Sequence, residues 1–284
     1  MKGRIFFAVV LVLVALFVGR YMRRTGAVAA SNREETRQTQ RLDAGARIEV
    51  RGINGQVEVR TADTDTAEVR IVRTGDLEFG KVNVELSPSG VVVRGESDAA
   101  RGFWRWLEGG TQVRQQVTLT VPRRVEVFAS GINDNVEVGE VDGPVTVESI
   151  NGRVSVAQTS GHFAARRVNG GIKVGVAALG DEGMELSRVN GNVEVRLREA
   201  LNADIEADRH NGRLTLDVPN VTAQEREGRR ESRARLGAGG TPIQINRVNG
   251  NVRFEAIGAA AEAPPTVVLP VAELPPPPPL PPVR

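Results

Sequence analysis

Apolar and polar residues alternate in short runs through most of the chain. Val57 and Val59 flank Glu58, Val154 and Val156 flank Ser155, and Val193 and Val195 flank Glu194. A period of two places alternate side chains on opposite faces of an extended backbone, so each run predicts a strand with one buried face. Residues 67–73, 81–86, 91–94 and 117–121 alternate in the same way and predict further strands. In front of many runs stands one phrase, an apolar residue followed by Asn-Gly. It occurs as Ile53-Asn54-Gly55, Ile150-Asn151-Gly152, Val168-Asn169-Gly170, Val189-Asn190-Gly191 and Val248-Asn249-Gly250. His210-Asn211-Gly212 has histidine in the apolar place, and Ile132-Asn133-Asp134 has aspartate in the glycine place.

The turn asparagines 133, 151, 169, 190 and 211 are separated by 18, 18, 21 and 21 residues. Weaker turns at Asp142-Gly143 and Ser160-Gly161 lie between them, so each repeat holds two strands. Asn and Gly tolerate positive φ, which lets the chain turn sharply at little steric cost. A two-strand unit cannot bury its apolar face alone. Stacking coil upon coil buries that face continuously and lets successive asparagines stack. The predicted fold is therefore all-β, a β-solenoid-like stack of short strands with Asn-Gly turns. An antiparallel β-sandwich of tandem hairpins is the alternative, because Asn-Gly is also a hairpin signal. The strands upstream of residue 122 are less regular and read as broader first coils or a sandwich-like start. Two stretches interrupt the pattern. One contains Phe103-Trp104-Arg105-Trp106, and the other carries Arg226, Arg229, Arg230, Arg233 and Arg235 among glutamates. The 38-residue interval from Asn211 to Asn249 reads as two coils, part of which a loop replaces.

Both ends differ from this middle. Lys2 and Arg4 precede an apolar run over residues 5–18, which Arg20, Arg23 and Arg24 follow. That layout predicts a signal peptide or membrane anchor over residues 1–24. Ala27-Val28-Ala29 is a small-x-small sequence of the kind cleaved after export. Residues 25–42 read as a polar linker, 43–258 as the repeat domain and 259–284 as a proline-rich disordered tail. Ten of the 15 prolines lie in that tail, where polyproline II is favoured and no core forms.

Composition removes whole classes of chemistry. The 284 residues include no cysteine, so disulfides, thiol catalysis and Cys-ligated zinc are excluded. His162 and His210 are the only histidines. His210 reads as a coil residue and His162 as exposed. No Ser-His-Asp grouping or nucleophile elbow is present, so no catalytic, cofactor-binding or metal-ligating residue is assigned. Asp63 with Asp65, and Asp134 with Glu140 and Asp142, lack the spacing of a calcium loop. Net charge is only +2 on 37 basic and 35 acidic residues, so no nucleic-acid partner is expected. Trp104 and Trp106 are weighed as an end cap or a partner contact, and the arginine-rich stretch Arg226 to Arg235 as a self-paired solvated loop or a contact for anionic envelope polymers.

The Asn-Gly strand repeats behind a targeting segment resemble the bacterial putative-adhesin family of the DUF4097 type. The run Thr118-Leu119-Thr120-Val121-Pro122 followed by Val125-Glu126-Val127 is similar to that family's lead-in. Gly52-Ile53-Asn54 and Gly131-Ile132-Asn133 resemble the related head domain named for its Gly-Ile-Asn motif. The resemblance spans residues 43–256 and brings no catalytic residue. It implies a non-catalytic binding or scaffolding protein of the cell envelope, anchored at the membrane or secreted after cleavage. The expected partners are the membrane, through residues 1–24, and an envelope polymer or protein. Self-association through the solenoid ends is a further expectation. A membrane-anchored role in envelope-stress signalling is the alternative function.

Overall fold

The computed structural model describes residues 32–75, 77, 80–96, 113–198, 201–225, 231–257 and 267–269. Among these residues there is no helix. The chain begins with β1 (Arg33–Arg41), β2 (Ala46–Arg51), β3 (Gly55–Ala62), β4 (Thr66–Thr74), β5 (Val82–Ser87), β6 (Gly90–Gly95) and β7 (Arg114–Pro122). A regular series follows: β8 (Val125–Ile132), β9 (Val136–Val141), β10 (Val145–Ile150), β11 (Val154–Ser160), β12 (Phe163–Val168), β13 (Ile172–Ala178), β14 (Met184–Asn190) and β15 (Val193–Arg198). The last strands are β16 (Ala203–Asp208), β17 (Leu214–Asp217), β18 (Val221–Glu225), β19 (Glu231–Leu236), β20 (Thr241–Asn249), β21 (Val252–Ile257) and β22 (Val267–Leu269).

The strands form two eleven-stranded sheets. One runs β1-β4-β7-β3-β9-β11-β13-β15-β21-β17-β22, the other β18-β19-β16-β20-β14-β12-β10-β8-β2-β6-β5. Each coil gives one strand to the second sheet and the next to the first. Successive repeats pair in parallel, with Val145 opposite Val127 on one side and opposite Phe163 on the other. Parallel neighbours need a crossover, and the strand in the opposite sheet supplies it. This is the solenoid, and tandem hairpins are ruled out for the repeats.

Coil order in space departs from order in sequence at both ends. The β2–β3 coil lies between β6–β7 and β8–β9. The β20–β21 coil lies between β14–β15 and β16–β17. The interval from Asn211 to Asn249 is therefore not two coils stacked in sequence. Its β18 and β19 form an antiparallel hairpin laid on β16, after which the chain returns between coils already built.

Antiparallel strands close the ends. β4 pairs with β7 and β1 with β4 at one end of the first sheet, and β5 covers β6 in the second. At the far end β22 covers β17. Residues 67–73 and 81–86 are thus caps, while 91–94 and 117–121 belong to a coil. Two predicted boundaries are corrected. Residues 33–41, read as linker, are the edge strand β1, and residues 267–269 of the tail are a strand. β1 escaped notice because its side chains are almost all exposed, so no apolar alternation marks it. Ion pairs hold it instead: Arg37–Glu68 at 2.8 Å, Glu35–Arg70 at 2.7 Å and Arg41–Asp65 at 2.9 Å, with Glu34–Arg73 beside them. A charged edge also resists further strand addition. Residues 1–31, Trp104, Trp106 and the tail prolines lie outside the described residues.

The core fills the space between the sheets with valine, isoleucine, leucine and alanine, with Phe163, Phe254 and Met184 as its bulkier members. Most buried polar groups are paired, as a dry interior requires, while one oxygen each of Glu49 and Asp217 has no hydrogen-bond partner among the described residues. Gln115 accepts from the Asn54 amide and donates to the Gly80 carbonyl, each at 2.8 Å, and Thr159 donates to the Gly143 carbonyl at 2.8 Å. Glu49 lies 2.6 Å from Arg51 and 3.5 Å from Arg94.

Candidate binding edge

Where the chain passes from the second sheet into the first it makes the same five-residue corner, and the corners stack into one edge. Their first position is left-handed. Gly52 has φ 67°, Gly131 66°, Ser149 57°, Arg167 56°, Arg188 56°, Arg247 55° and Arg209 52°. A residue with a β-carbon loses roughly 1–2 kcal/mol in that region, so the arginines are held there against their preference. The second position is a buried anchor: Ile53, Ile132, Ile150, Val168, Val189 and Val248 are at most 1% exposed. His210 fills the same place in one coil, as its position in the repeat predicts. It is half-buried, with Nε2 2.8 Å from the Gly250 carbonyl, and burial pushes its pKa below the ordinary histidine value.

The third position forms a continuous asparagine ladder. Asn133 donates to Asn54 at 3.0 Å, Asn151 to Asn133 at 2.8 Å, Asn169 to Asn151 at 2.9 Å and Asn190 to Asn169 at 3.0 Å. Asn249 then donates to Asn190 at 3.1 Å and Asn211 to Asn249 at 3.0 Å, following spatial rather than sequence order. Asn54 ends the ladder on the Val113 carbonyl at 3.0 Å. The fourth position adds to the reason given for glycine. Gly55, Gly212 and Gly250 have positive φ of 150–152°, whereas Gly152, Gly170 and Gly191 do not. A β-carbon there would fall 2.4, 2.2 and 2.4 Å from the carbonyl oxygens of Asp134, Gly152 and Gly170. Glycine is needed because neighbouring coils approach closely. In the fifth position the side-chain Oδ1 atoms of Asn135, Asn192 and Asn251 accept from the backbone amides of Arg153, Asn251 and Arg213 at 2.9–3.0 Å.

The corners concentrate positive charge. They contain Arg153, Arg167, Arg188, Arg209, Arg213 and Arg247 against one acid, Asp134. Arg167 is tied to Ser149 at 3.0 Å and to Glu148, and Arg209 lies 3.4 Å from Asp208. Arg188 and Arg247 are exposed and have no carboxylate partner among the described residues. Sequence reading passed over them because overall charge is near zero. The available signal was the recurrence of arginine two residues before the asparagine, where the first coils carry glycine.

Other candidates disperse. Arg233 meets Glu206 and Arg235 meets Asp204, each at 2.8 Å, and Arg235 holds the Asp204 carboxyl below its usual range. Both acids belong to β16, so this part of the stretch is a strand whose arginines pair across the sheet, and Arg226, Arg229 and Arg230 lie outside the described residues. Asp65 is taken by Arg41, and Glu140 and Asp142 by Arg123 at 2.7 and 3.6 Å. His162, read as exposed, is half-buried with Nδ1 3.0 Å from the Gly183 carbonyl. Among the described residues no three acids or histidines stand together as a metal site.

Fold and edge together define a two-sheet β-solenoid with an asparagine ladder along one basic corner. No protein-family model matches the chain, and no curated protein matches its sequence. Solved structures with some likeness include a putative cell adhesion protein from Clostridium sporogenes, at 10% identity and TM-score 0.38, covering 79% of this chain and 100% of that one. A putative adhesin from Bacteroides fragilis has 9% identity and TM-score 0.30 over 78% of this chain and 97% of its own. Another, from Parabacteroides distasonis, has 10% identity and TM-score 0.28 over 79% and 97%. Likeness of this size falls short of a common fold for the whole chain.

Proposed function

We propose that the chain is a non-catalytic, adhesin-like module of the bacterial cell envelope, of the DUF4097 type, held at the membrane by residues 1–24. It acts by repeated contact along a rigid surface. The observation that carries this reading is the unbroken edge of like corners joined by the asparagine ladder from Asn54 to Asn211. Such an edge offers the same contact once per coil, and linked weak contacts gain strength through effective concentration. Full-length protein incubated with isolated bacterial envelopes is expected to sediment with them saturably and to release no soluble fragments. No retention at any salt concentration, or steady release of fragments, overturns the reading.

A further inference from the structure

We propose that the corner edge is a track for an extended acidic polysaccharide carrying about one carboxylate per sugar, with Arg188 and Arg247 at its centre. This rests on the surface-binding reading above and names its ligand class.

Register places the arginines side by side. Ser187 pairs with Asn246, so Arg188 and Arg247 occupy adjacent coils. Arg166 opposite Ser187 sets Arg167 on one flank, and Asp208 opposite Asn246 sets Arg209 on the other. Four guanidinium groups thus recur on consecutive coils, one per strand spacing of ~4.8 Å. That repeat is close to the length of one sugar in an extended chain. The flanking arginines are engaged by Glu148 and Asp208. The residues preceding the central pair, Ser187 and Asn246, carry no charge, which leaves these two guanidinium groups available to an anion.

Backbone conformation points the same way. Glycine occupies the left-handed position in two corners, whereas four corners hold arginine there at φ 52–56°. Departures of this kind gather at binding sites, where the side chain has a use that offsets the cost. Beside the arginines runs the ladder, and each asparagine has a second amide hydrogen beyond the one donated along it. Guanidinium groups fit carboxylates, and amides fit sugar hydroxyls. The corners contain no Phe, Tyr or Trp, and their one imidazole, His210, is half-buried against the Gly250 carbonyl, so they offer no open platform for stacking bases. A glycan fits this edge better than a nucleic acid.

The test compares full-length wild-type protein with R188G/R247G and R188Q/R247Q. Glycine suits the left-handed backbone and removes the side chain; glutamine keeps its length and removes its charge. The probes are polygalacturonate, neutral dextran and a single-stranded oligothymidylate, measured at low and physiological salt. Wild type is expected to bind polygalacturonate with salt-sensitive affinity and to ignore dextran. Both double variants should lose at least about tenfold in that affinity. Equal binding by wild type and a folded variant overturns the proposal, as does tighter binding to the oligonucleotide. Envelope retention without polygalacturonate binding rejects the glycan track but leaves the surface-binding reading standing. Loss of both rejects both.

Discussion

Arg188 shows how one position can be set against itself. Its left-handed φ of 56° costs roughly 1–2 kcal/mol relative to glycine. Glycine in turn gives the unfolded chain freedom worth about 0.5–1 kcal/mol. The first effect is the larger, so R188G is expected to raise stability by up to about 1 kcal/mol, read from the urea midpoint. Gly170 carries the opposite constraint. A β-carbon there would sit 2.2 Å from the Gly152 carbonyl oxygen, and backbone on both sides limits relaxation. G170A should therefore cost about 1–3 kcal/mol or more in the same measurement. His210 links stability to pH. Burial lowers its pKa, so the unfolded chain takes up the proton first. Stability should fall as pH drops through about 6.5 towards the folded value. Glu185 and Asp204, also held low by arginines, are expected to add their losses only near pH 4 and below. H210V should flatten the dependence between about pH 8 and 5.5, checked by denaturation across that range. A slope unchanged by the substitution would assign it elsewhere.

At the scale of the strand, core and ladder contribute differently. Leu186 is fully buried in β14, and L186A is expected to cost about 2–5 kcal/mol. Asn169 makes two ladder bonds, of 2.9 and 3.0 Å, but at an exposed corner where water competes. N169A should cost only about 1 kcal/mol. A denaturation series that ranks Asn169 above Leu186 would reverse this assignment. What the ladder adds is register. One asparagine per coil must meet the next, and a slip of one residue would turn each valine row towards water. The surface ion pairs between strands add little individually, being largely exposed and screened by salt.

For the molecule as a whole, coil order matters most. β20 and β21 bury Ile243, Ile245, Val252 and Phe254 in the core between coils made earlier in the chain. Ending the chain after residue 240 removes that coil, so β16 and β17 lose their parallel neighbours and the β18–β19 hairpin loses the strand that anchors β16. Hydrogen exchange should then show protection lost over residues 203–236 and kept over residues 125–198. Protection kept in both regions would mean that β16 can stack directly on β14. The same topology shapes folding. Central ladder steps join residues 18 apart, whereas Asn54 meets Asn133 across 79 residues and Asn249 meets Asn190 across 59. Local coils can form early, while the inserted ones wait for long loops to close.

Much of this was legible in the residues themselves. Alternation such as Val154-Ser155-Val156 located the strands, and the Asn-Gly period predicted both the parallel stacking and the asparagine contacts. Those features are local, because a period of two sets a strand's faces and a fixed repeat brings like residues together. Tertiary structure decided the rest. Each coil presents nearly the same edge to its neighbours, so the repeat alone cannot say that Asn249 stands between Asn190 and Asn211. The long segments and antiparallel caps at the two ends decide that order. β1 likewise is fixed by its neighbour, pairing antiparallel along β4 from Arg33 opposite Thr74 to Arg41 opposite Thr66, with Glu34 and Glu35 meeting arginines there. Stacking also revealed the true constraint on Gly170. It paired Arg235 with Asp204 while leaving Arg188 and Arg247 exposed, since charge cancels or accumulates according to which coils become neighbours.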